Sequence, residues 1–249
     1  MSSGLPWEGS PLANLSLSDP RCNNDSCRAF YNAHQLSQKE VSYYYQYKYG
    51  HFTTWYYLAF VGLFAIVYLH RKWQEHSYAA GRGVTESGIP VFQNKCIAAW
   101  RFVAYRRIPG WMSRGVGMPS MGMLFFLLLA VLYILILTFA VRPYYRQHRG
   151  YGSPPLAVRT GLMAVALTPL IIALAGKANI ITLLTGVGHE KLNVIHRWVG
   201  WICFGLSVTH TVPFIVAPLR DGGYTALHKQ FYKPGACEES LRFRISRRH

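Results

Sequence analysis

Charge is scarce in this chain: Asp, Glu, Lys and Arg make up 14% of the residues, against 51% hydrophobic ones. The apolar residues come in clusters, so a soluble globular protein is the poorer fit and a polytopic membrane protein the better one. Acidic residues are scarcer still, 10 against 26 Lys and Arg. Such an excess can mark a nucleic-acid binder, but here Arg71, Lys72, Arg106, Arg107, Arg142 and Arg146 stand beside apolar runs. That placement suits phospholipid headgroups, or a generically basic set of loops, and gives no reason to expect nucleic acid. The five cysteines include no C-x2-C pair, which excludes that kind of metal spacing. No G-x-G-x-x-G occurs, so the dinucleotide-binding turn is missing from these residues. No basic stretch followed by an apolar core opens the chain at Met1, so a cleavable signal peptide is not expected. The first apolar run would then act as an uncleaved anchor.

Long charge-free runs are present. They occupy 52–69, 118–141, 160–176 and 198–219. Each is close to the roughly 17–25 residues that a spanning helix needs. A soluble reading, with buried core helices, is most tenable for 160–176 and poor for 118–141. The expected fold class is all-α, a polytopic bundle of about four spanning helices, the last of them over 194–218.

The apolar stretch 191–218 holds His196 and His210, fourteen residues apart. Along a helix that is about 21 Å and close to four turns. The spacing places both imidazoles near one face at two depths of the membrane, where ionisable groups usually face a bundle interior or a site. Two readings stay open: packed, hydrogen-bonded histidines, or axial ligands of two stacked haems, since neutral imidazole is a common ligand of haem iron. Arg197, beside His196, suits a lipid phosphate or a haem propionate.

Residues 1–51 are polar and aromatic and are expected outside. Two sequons, at Asn14 and Asn24, hint at the same side. A Cys22–Cys27 disulfide would form there in an oxidising compartment; two unrelated thiols fit equally. Tyrosines from Tyr43 to Tyr49, with Trp55, Tyr56 and Tyr57, suit a headgroup belt. Residues 70–117 read as a basic cytosolic loop, with a candidate amphipathic helix over 95–107. Thr168-Pro169 predicts a kink, and Gly186 and Gly188 break the connection 177–193. Basic residues near helix ends do not decide the orientation.

The stretch 154–232 resembles the membrane domain of fungal ferric (metallo-)reductases, relatives of the NADPH oxidases. The most specific pieces are LLTG at 183–186, HEKLN at 189–193, HRW at 196–198 and HT at 210–211. The resemblance covers residues before 154 more loosely. It implies electrons passing from cytosolic NADPH through FAD and two haems b to Fe(III) or Cu(II) chelates outside the cell. His196 then matches the ligand of the inner haem and His210 that of the outer one. The plasma membrane is the implied location, the vacuolar membrane next, with the N-terminus outside. The sequence departs from the family pattern in three ways. No later helix brings a second histidine to each haem, and His228, expected in a loop, and His249 do not replace it. The FAD and NADPH modules are missing. Residues 236–249 form an atypical tail that reads like a frameshifted or misjoined end. The partial domain, 118–235, is therefore expected to be inactive alone. A superoxide-producing oxidase and a non-catalytic membrane remnant are the alternatives.

Overall fold

The computed structural model describes residues 25–79, 120–176 and 179–231, with isolated positions between 95 and 106. Asn14, Asn24, Cys22, most of 95–107 and the tail 236–249 lie outside the described residues. Among the described residues these α-helices run in order: α1 Asp25–Glu40, α2 Tyr43–Ala79, α3 Met121–Phe139, α4 Pro155–Ala175, α5 Ile180–Thr185 and α6 His189–Phe231. A 3-10 turn, Arg149–Tyr151, lies between α3 and α4. No strand occurs among the described residues. Four stretches, Arg28–Ala79, Met121–Phe139, Pro155–Ala175 and His189–His228, are long and apolar enough to cross a bilayer. The fold class is all-α, with four membrane-spanning helices among the described residues. Lipid offers no partner to a backbone N–H or C=O, and a helix satisfies both within one segment.

α2, α4 and α6 start before the apolar runs that announce them, while α3 lies inside 118–141. α2 starts at Tyr43, inside the tyrosine cluster, and continues through the basic residues after Leu69. α4 opens on Pro155, where the missing N–H costs nothing because the first helical N–H groups have no partner anyway. It runs on through Pro169 as one helix.

By internal contacts the chain forms two units. The larger takes the described parts of Tyr47–Val141 and Gly161–Ser207. Its core gathers Tyr49 of α2, Ile134 of α3, Met163, Leu167 and Leu174 of α4, and Leu192, Val199 and Leu206 of α6. Tyr56 stacks on Tyr133 at 4.2 Å, and the Tyr133 hydroxyl donates to the Phe52 carbonyl at 3.1 Å. Leu63, Ile66, Leu128 and Leu135 point outward and exposed, as lipid-facing residues should. Lipid tails are as apolar as leucine, so close packing and such interhelical bonds, not water exclusion, hold the helices together.

α5 sits in the connection read as broken by glycines. Asn179 caps it, its side chain accepting from the Ile181 N–H at 2.8 Å. Gly186 ends it at φ 66°, the left-handed region that closes many helices. A Cβ there would also collide with the Tyr68 ring of α2, so the site demands glycine twice over.

The smaller unit takes the described parts of Met1–Gln46, Arg142–Thr160 and Val208–His249. Phe30 of α1 lies against Tyr151 and His148. Arg146 ties the end of α1 to the loop. Its Nη1 donates to the Ser37 carbonyl at 2.6 Å and the Ser37 hydroxyl at 2.9 Å. Its Nη2 reaches the Val41 carbonyl at 2.7 Å and its Nε the Ser153 carbonyl at 3.2 Å. The guanidinium thus covers carbonyls that a helix end leaves unpaired, at the pole where a cation is favoured. This corrects the headgroup reading of Arg146, which is buried and held by protein oxygens. Burial pushes its guanidinium below the ordinary arginine value, and the charge of Glu40 opposes the shift.

α6 contains Pro213 and Pro218, both buried, each deleting one backbone bond to the preceding turn. The helix breaks at Gly222 and Gly223, the latter at φ 62°. His228 falls in the helical segment after this break, not in a loop, with its ring 6.2 Å from Tyr224.

Candidate functional site

His196 and His210 both belong to α6. In the larger unit, His196 Nδ1 lies 3.1 Å from the Ile171 carbonyl oxygen of α4. In the smaller unit, His210 Nδ1 lies 2.7 Å from the Ala157 carbonyl oxygen, also of α4. Ala157 is fully buried, and its side chain of one carbon lets the imidazole reach the backbone. Both rings are partly buried and neither is on the outermost surface of its helix.

These contacts fix a protonation pattern. A carbonyl oxygen can only accept, so Nδ1 must carry the hydrogen in each ring. In the neutral imidazole the lone pair then sits on Nε2, at the far edge of the ring. A histidine that ligates a metal through one nitrogen commonly donates the other N–H to a carbonyl or carboxylate, which sets its tautomer and orientation. Both histidines have that arrangement already built in.

Cys203 lies between them along α6. Its Sγ lies 3.8 Å from the Ala164 carbonyl oxygen, a weak contact. Within the larger unit, the step of seven along α6 from His196 to Cys203 matches a step of seven back along α4 from Ile171 to Ala164. A seven-residue recurrence is the signature of helices packed at a shallow angle.

Two further features carried no sequence signal of their own. Arg159 of α4 is almost wholly buried, with its guanidinium 5.8 Å from the Tyr144 ring. The smaller unit also holds a cleft of about 170 Å³ lined by Arg146, His148, Ser153, Phe214 and Arg220 among others. Phe214 meets the His210 ring edge-on at 5.2 Å. Arg197, in contrast, is exposed. No group of three or more His, Cys, Asp or Glu side chains converges among the described residues.

Long apolar helices, one of them carrying two partly buried histidines, define a multi-pass helical membrane protein. Residues 160–237 match the model of the family described as ferric reductase like transmembrane component. The chain is 40% identical over 141 residues to a probable cell surface ferric reductase, kap2, of Aspergillus oryzae, covering 56% of this chain and 19% of that protein. It is 32% identical over 202 residues to ferric/cupric reductase transmembrane component 7 of Saccharomyces cerevisiae, covering 78% of this chain and 33% of that protein. A shorter match, 31% over 75 residues, reaches ferric/cupric reductase transmembrane component 1 of Candida albicans, covering 30% of this chain and 10% of the relative. No solved structure matches. Residues 160–237 form a ferric reductase-like transmembrane domain, and the chain spans a third or less of the length of these curated relatives.

Proposed function

We propose that this chain is a membrane electron-transfer component of a ferric-chelate reductase, with His196 and His210 as axial ligands of two haems b. The observation that carries the reading is the pair of Nδ1 contacts to Ile171 and Ala157, which leave Nε2 as the ligating nitrogen of each ring. A haem, when bound, supplies a one-electron relay. The protein's part is to hold the tautomer, fix the ring plane and keep each imidazole away from bulk water. Arg159, a buried cation in the same unit as His210, suits the carboxylate edge of a macrocycle.

In this reading His196 serves the inner haem and His210 the outer one, with the N-terminus outside and the plasma membrane as the location. Electrons come from NADPH through FAD, carried by other modules of the reductase. The matched relatives are named as ferric or ferric/cupric reductases, which supports a metal chelate over dioxygen as the final acceptor.

The test is optical. Purified in membrane mimetic, the protein should show a reduced b-type spectrum. His196→Ala and His210→Ala should each remove about half of the haem, and the double variant all of it. A spectrum unchanged in both single variants would reject the assignment.

A further inference from the structure

The cleft of the smaller unit is the feature that the electron-transfer reading leaves unused. Its lining is basic: Arg146, His148 and Arg220 contribute, and no Asp or Glu does among the described residues. Arg220 is met by Asp221, its Nε donating to the carboxylate at 2.6 Å, and its Nη2 also donates to the Arg146 carbonyl at 3.0 Å. Arg146 donates instead to three carbonyls and one hydroxyl, all neutral oxygens, although the side chain is buried. Glu40 acts on it only through space. His148 Nδ1 accepts from the Gly150 N–H at 3.0 Å, which puts the proton of the neutral ring on Nε2 as a donor. A positive charge in a low-dielectric wall attracts an anion more strongly than the same charge in water.

The cleft also touches the redox path. Phe214 lines it and packs on His210, one helical turn away on α6. At about 170 Å³ it is well below the roughly 300–1,000 Å³ that encloses a drug-sized ligand. It therefore suits a small acid, or one arm of a larger chelate, not a whole siderophore-sized molecule.

We propose that this cleft binds an oxyanion, the carboxylate arm of a small anionic metal chelate, and so docks the acceptor beside His210. The binding part of this inference stands on the cleft alone; its place beside a haem rests on the function proposed above. A lipid phosphate shares the same chemistry, and the experiment separates the two sources.

The full chain is placed in phosphatidylcholine nanodiscs and titrated calorimetrically with citrate, with its neutral triethyl ester as the control. Citrate should bind and the ester should not. Ser153 is exposed on the cleft wall, so Ser153→Asp adds a carboxylate with little risk to folding. That variant should weaken citrate at least about tenfold, by the charge argument, while Ser153→Asn leaves it unchanged. Arg220→Gln should weaken it similarly, and Arg220→Lys should restore much of the affinity. Equal affinity in Ser153→Asp and Ser153→Asn would overturn the proposal. So would occupation of the cleft by soluble dihexanoyl-phosphatidylglycerol in preference to citrate. Because the titration needs no haem, the two readings fail separately. A preparation holding both haems that ignores citrate sinks the cleft alone; a haem-free one that binds citrate upholds the cleft and sinks the histidine assignment.

Discussion

The imidazole of His210 is tethered to the backbone of Ala157, with Nδ1 2.7 Å from the carbonyl oxygen. The residue that receives this bond has almost no side chain, and it is completely buried. Ring orientation at this position is thus set by a neighbour whose smallness, not its chemistry, is what counts.

That relationship makes Ala157 a test of positioning. Ala157→Leu should push the ring off its carbonyl, with an overpacking cost of about 1–3 kcal/mol. The expected result is loss of the His210-dependent haem with the His196-dependent one retained. Haem content per protein, read as the pyridine haemochrome, checks this. Ala157→Gly, which leaves the carbonyl accessible, should keep both.

Gly186 should be intolerant for two separable reasons. Gly186→Ala places a Cβ at φ 66° and against the Tyr68 ring. The backbone penalty is about 1 kcal/mol, and the collision adds to it. Thermal unfolding in detergent should show a lowered midpoint. Tyr68→Ala on top of Gly186→Ala should recover the steric part only, so the two changes should be non-additive.

Arg146 should be needed as arginine. Arg146→Lys keeps the charge but cannot span Ser37, Val41 and Ser153 with one planar fork. Hydrogen bonds to charged groups contribute about 1.5–3 kcal/mol each. Hydrogen exchange in α1 should accelerate in Arg146→Lys and more so in Arg146→Gln, with α3 unaffected.

The loop should weaken in alkali. Burial raises the Tyr151 phenol above its ordinary value of 10.0. A raised folded-state value means the proton is held more tightly when folded. The stabilisation is therefore complete below pH 10 and is lost as the pH climbs through the folded-state value. Hydrogen exchange of the segment around Tyr151, followed from pH 8 upward and corrected for intrinsic exchange, should show a rise in opening that Tyr151→Phe abolishes.

The four spanning helices were legible because lipid imposes a length and an apolar composition that no other feature imitates. Helix ends were not, since Tyr43 and the charged residues before Ala79 continue a helix as readily in water as leucine does in lipid. α1 is polar and has no apolar run to announce it; Arg146 holds its end from more than a hundred residues away. α5 did leave marks, the cap Asn179 and the stop Gly186, but its six residues are too few for periodicity. His196 and His210 stood out as histidines in an apolar segment. Their partners could not, because Ile171 and Ala157 act through carbonyl oxygens, which every residue has. Arg146 reads as a headgroup or loop charge and Arg220 carries no signal, since nothing local shows that loop and helix enclose a cleft between them.

Pro213 and Pro218 fall after His210 and before the glycine break. Each removes a rung from the backbone ladder on that side, while the turns around His196 keep theirs. The rod is therefore stiffer at one imidazole than at the other, and any strain that reaches it will be absorbed as bending beyond His210.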